Sequence, residues 1–96
     1  MTAIQIITIS SKNKTLRGMI EQVSNDNFRL YLSEKETYFT PFNLTDSQFN
    51  NAADALTKIT ELFGNAKIVE INNQTSDLLT TDEISNITKC SDIKES

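Results

Sequence analysis

Asp77, Asp82 and Glu83 form the densest acidic group in the chain. Two carboxylates sharing a cleft, with pKa values pushed apart, suffice for acid–base chemistry. Asp82 and Glu83, however, follow Thr80 at the spacing of a capping box, Thr80 to Glu83. Negative charge in the first turn of a helix is favourable without any catalytic role, so capping is the expected use of these two acids. Cys90 is the one thiol. A nucleophilic cysteine needs a partner that draws off its proton, and no base is identifiable beside it, so an inert thiol is expected. Histidine is absent. Its absence removes the commonest general base, the commonest metal ligand and the physiological pH switch together. One cysteine without imidazole does not make a zinc site. Gly18 and Gly64 are the only glycines, too few for a phosphate-cradling loop. The expectation is a protein that is not an enzyme, with no metal, no cofactor and no evident small-molecule substrate.

What remains is binding, and charge is its main signal. The net charge is −4, unevenly placed. Residues 1–35 hold five basic and three acidic side chains; residues 36–96 hold four basic and ten acidic ones. An acidic body is repelled by nucleic-acid phosphates and attracted to basic surfaces, including those that grip nucleic acid. Asp54 and Glu61 are seven residues apart on a predicted helix, two turns or ~11 Å along one face, and Asp46 lies close to the same line. Together with Glu70 they are the candidate partner-binding residues. The mildly basic front offers the alternative, with Lys12, Lys14, Arg17 and Arg29 as candidate phosphate contacts and Tyr31 or Tyr38 for stacking.

The elements that must position these residues follow from periodicity. Residues 3–10, AIQIITIS, are β-branched with apolar side chains on both faces, which suits an inner strand. From Leu16 the period is two, with Leu16, Gly18 and Ile20 on one face and Arg17, Met19 and Glu21 on the other. Ser24 to Asn27 supplies turn residues, after which Phe28, Leu30 and Leu32 alternate with Arg29 and Tyr31. Residues 37–42 read as a third short strand of this meander, placed at an edge by Pro41. Thr45 and Gln48 have capping-box spacing, and Phe49, Ala52, Ala53, Leu56, Ile59 and Phe63 form an apolar stripe, so a helix is expected over 46–63 with Gly64 as its C′ residue. Residues 66–71 read as a strand, and Thr80 opens a short helix carrying Ile84 and Ile87.

The predicted fold is therefore α+β: an antiparallel β-sheet of four to five strands, one amphipathic helix packed on one face, and a short C-terminal helix. The predicted core is Ile6, Ile20, Phe28, Leu30, Leu32, Phe49, Ala53, Leu56, Ile59, Phe63, Val69 and Ile71. One domain is expected over 1–90, with 91–96 as a frayed tail. No stretch reads as a signal peptide or a membrane span, so a cytoplasmic protein is expected.

The hairpin residues Leu16, Gly18, Ile20, Val23, Leu30 and Leu32 resemble the strand pair of Sm-like and other small SH3-like barrels. That resemblance implies a nucleic-acid-binding barrel. The chain departs from the pattern in a turn one residue longer, in the missing Asp-x-x-x-Asn element, and in placing its long helix after the strands. The reading favoured by composition is different: a small acidic inhibitor of the kind phages and mobile elements use, anti-CRISPR-like or a DNA mimic. Its partner would be a host protein or protein–nucleic acid complex with a basic surface. An exposed strand edge or helix stripe is also compatible with a homodimer.

Overall fold

A computed structural model describes residues 3–33, 40–41, 48–74 and 78–95. The fold is α+β: a mixed sheet with two helices. Strands β1 (Ile4–Ser10), β2 (Thr15–Ser24) and β3 (Asn27–Ser33) make an antiparallel meander. The short strands β4 (Thr40–Pro41) and β5 (Gln48–Phe49) both pair with the outer edge of β3. Helix α1 (Ala52–Leu62) follows, then β6 (Glu70–Asn73), helix α2 (Thr81–Thr88) and β7 (Ile93–Glu95). The order across the sheet is β4-β3-β2-β1-β6-β7.

Alternation decides which face is buried. Gln5, Ile7 and Ile9 of β1, Leu16, Gly18 and Ile20 of β2, Phe28 and Leu30 of β3 and Ile71 of β6 point to one side. Ala52, Ala55, Leu56 and Ile59 of α1 and Ile84 of α2 pack onto them in a single core. Gly18 is where α1 comes closest to the sheet: a Cβ there would overlap Ile59 Cδ1. The glycine that resembles a barrel-hairpin position thus serves helix docking, in a sheet that is layered with helices on one face.

The helix ends have local causes. Asn51 caps α1, its side-chain oxygen accepting from the Asp54 amide at 2.8 Å. Gly64 takes φ +62 just past the C-cap, and its amide donates to the Glu61 carbonyl, as a C′ glycine does. Thr80 and Glu83 form the expected capping box at the start of α2. That helix ends on Lys89 in the left-handed region, φ 59.

Several expectations need correction. The long helix begins at Ala52 and not at 46, because Gln48–Phe49 pairs with β3 opposite Arg29 and Phe28. Of the third strand expected over 37–42, the described part is Thr40–Pro41, and Tyr38 lies outside the described residues. The strand expected over 66–71 sits later, at Glu70–Asn73, and Val69 is 39% exposed. The segment 91–96, expected to fray, contributes Ile93–Glu95, which pairs in parallel with β6 and makes the sheet mixed. Ile6 is half-buried on the face away from the helices, while Ile7 and Ile9 are fully buried. Leu32, Phe49 and Ala53 are only partly buried against the core. The extra residue of the β2–β3 turn is a bulge: Gln22 pairs with Phe28 and Ser24 with Asn27, leaving Val23 unpaired in the ladder and 48% exposed.

A buried side chain ties the C-terminal half to β1. Gln5 is fully buried and uses its amide three ways. Its Nε2 donates to Asn73 Oδ1 and to the Leu79 carbonyl, both at 2.9 Å, and its Oε1 accepts from the Leu79 amide at 2.7 Å. A buried amide side chain is tolerated when satisfied in this way. Among the described residues, no helix is long and apolar enough to cross a membrane.

Candidate binding surfaces

Both helices lie on one face of the sheet, so their solvent sides form one outer layer. Asp54, Thr57 and Glu61 are exposed along α1, while Ala55, Leu56 and Ile59 face the core. Asp54 and Glu61 therefore share an outward face, as their spacing predicts, with half-buried Lys58 between them. The neighbouring α2 exposes Asp82 and Glu83. The Glu83 carboxylate accepts from the Thr80 amide at 3.0 Å, so it is partly engaged in the cap. Asp54 takes a contact from Asn51 Nδ2 at 3.3 Å and remains exposed.

Glu70 is not part of this layer. It stands on β6 next to buried Ile71, so it points to the opposite face of the sheet. There it pairs with Lys94 of β7 at 3.1 Å. Such an exposed pair contributes little, about 0–1 kcal/mol. Asp46 lies outside the described residues. The candidate acids thus divide: Asp54 and Glu61 come together, Glu70 stands apart, and Asp82 joins the layer from α2. Along the chain Asp82 reads only as a helix-start residue, because nothing local shows that α2 lies beside α1.

The candidate cations also separate. Arg17 and Arg29 point to the face away from the helices, on β2 and β3. Arg17 pairs across to Ser33 and Arg29 to Glu21, which places the two four residues apart along β3, about 13 Å. Between them runs the cross-strand row Ile6, Met19 and Tyr31, and Tyr31 donates to Glu21 Oε1 at 3.2 Å. Lys12 and Lys14 sit at the β1–β2 turn, at one end of the sheet. Lys14 is engaged: its Nζ donates to the Leu62 carbonyl at 3.1 Å and lies 5.6 Å from the centre of the Phe63 ring. A cation at the C-terminus of α1, whose own last turn has none, meets the negative end of the helix dipole. Lys12 is exposed and faces a cleft of about 370 Å³, whose far wall carries Lys67. In the sequence Lys67 is legible only as one more lysine, since its approach to Lys12 depends on how the chain returns from α1 to the sheet.

No protein-family model, curated protein or solved structure matches the chain in comparisons of sequence and structure.

Proposed function

We propose that this chain is a small acidic, non-enzymatic binding protein that inhibits a partner through the partner's basic surface. The reading extends to a phage- or mobile-element-type inhibitor of a nucleic-acid-handling complex, anti-CRISPR-like or a DNA mimic. The observation that supports it is the outer helical layer, where Asp54 and Glu61 share one face of α1 and Asp82 is exposed on the adjacent α2. A row of carboxylates held on packed helices presents negative charge at fixed spacing, as a phosphate backbone does. Complementary charge of this kind favours encounter and selects partners by sign.

The test is affinity capture from bacterial lysate, with and without nuclease, across a salt gradient. The chain is compared with an Asp54→Asn/Glu61→Gln/Asp82→Asn variant. A stoichiometric protein partner that survives nuclease, releases with salt and is lost with the variant supports the proposal. A partner held equally well by the variant removes the acidic layer from the interface. Capture of nucleic acid alone favours the basic hairpin instead.

A further inference from the structure

The cleft between the β1–β2 turn and the segment following α1 is about 370 Å³. Ser11, Lys12 and Asn13 form one wall; Asn65, Ala66, Lys67 and Val69 form the other. Two lysines and two asparagines are among its lining residues, with no acidic residue among the described ones, in a chain whose net charge is −4. Both walls are held in place. Ser11 Oγ accepts from the Lys14 amide at 3.1 Å, and the Ser11 amide donates to the Lys14 carbonyl at 2.7 Å. The Val69 amide donates to the Ser10 carbonyl at 2.9 Å, which ties the far wall to β1. Lys14 is turned away onto Leu62 and Phe63, anchoring the turn to the end of α1 while Lys12 stays exposed. A concave site whose walls carry two lysines and two asparagines suits a tetrahedral anion.

We propose that this cleft binds a phosphate group, either a phosphodiester of a single nucleic-acid strand or a free phosphate. The site is independent of the acidic helical layer, since none of its lining residues belongs to α1 or α2. It gives the chain a cationic end as well as an anionic layer, and such a molecule matches a protein–nucleic acid complex better than either component alone.

The full-length chain is titrated with a labelled oligo(dT) followed by fluorescence anisotropy, and with pyrophosphate followed by amide NMR shifts. Both titrations run at low salt, where phosphate binding is strongest. The variant is Lys12→Gln/Lys67→Gln, and Lys58→Gln, on α1 and outside the cleft lining, is the control. Expected is binding of at least one probe, weakened about tenfold or more by the double substitution and less than about twofold by the control. For oligo(dT), the slope of log K against log salt should shrink by about 1.4, the value for two phosphates that the variant no longer neutralises. Binding of pyrophosphate together with the oligonucleotide assigns the site to phosphate itself; binding of the oligonucleotide alone assigns it to the strand. Failure of both probes to bind, or binding that the double substitution leaves intact, overturns the proposal.

Discussion

Gln5 shows how one buried polar residue determines where a whole segment lies. Its carboxamide satisfies both backbone groups of Leu79 and the oxygen of Asn73. Gln5→Leu keeps the shape roughly and strands those groups. The expected loss is about 2–4 kcal/mol, from buried groups that cost about 1–3 kcal/mol each when unpaired. Urea unfolding checks the magnitude, and hydrogen exchange should show the α2 amides losing protection most. Gly18 makes a second residue-scale case. Gly18→Ala gains strand propensity but overlaps Ile59, whose side chain is fully buried. Overpacking of this kind costs about 1–3 kcal/mol. Adding Ile59→Val removes the clashing Cδ1, so the double variant should be more stable than the sum of the singles requires. An additive result would mean α1 does not sit on Gly18 this closely. Neither role is visible along the chain, where Gln5 reads as a polar residue among isoleucines and Gly18 as a hairpin glycine.

Elements are legible in the sequence where their cause is local. The Thr80–Glu83 box marks the start of α2, and Gly64 marks the end of α1, because caps act within one turn. The Thr45–Gln48 spacing is as good, yet Gln48–Phe49 pairs with β3 and α1 starts from Asn51. A cap motif states what a helix start tolerates, and pairing with a distant strand can outweigh it. The inward face of β1 is not legible, since Ile4 and Ile6 compete with Ile7 and Ile9 for it. The structure makes this a sharp prediction. Ile7→Ala should cost about 2–5 kcal/mol, as for a buried large-to-small change, and Ile6→Ala much less, under about 1.5 kcal/mol. Thermal or urea unfolding of the two variants decides the register; a larger loss at Ile6 would invert the sheet's buried face. The left-handed Lys89 at the end of α2 permits a gain. Lys89→Gly relieves a conformation that costs a side-chain residue roughly 1–2 kcal/mol and adds unfolded-state entropy, for a net stabilisation of about 0.5–1 kcal/mol. A melting-temperature comparison checks its sign.

At the scale of the molecule, charge is sorted more clearly than the chain order suggests. The two halves of the sequence differ in sign, but Glu70 and Lys94 cancel on the sheet face and Lys67 crosses to the basic end. The exposed acids of α1 and α2 remain as an acidic surface outside that end, with Lys58 set between Asp54 and Glu61. If they meet a basic partner, their effect belongs mainly in the association rate, because exposed charges steer encounter and are screened by salt. With the captured partner, Asp54→Asn/Glu61→Gln/Asp82→Asn should lower the association rate about tenfold at low ionic strength. The deficit should fade towards about 0.5 M salt, where the Debye length has shrunk to a few ångströms. Met19→Lys, in the middle of the sheet face between Ile6 and Tyr31, should leave both rates unchanged. Stopped-flow mixing across a salt series separates the outcomes. A dissociation rate raised by Met19→Lys, with the acidic variant behaving as the native chain, would move the interface to the sheet face. Binding would then rest on the half-buried Ile6, Met19 and Tyr31 row, and the carboxylates of the helical layer would serve solubility alone.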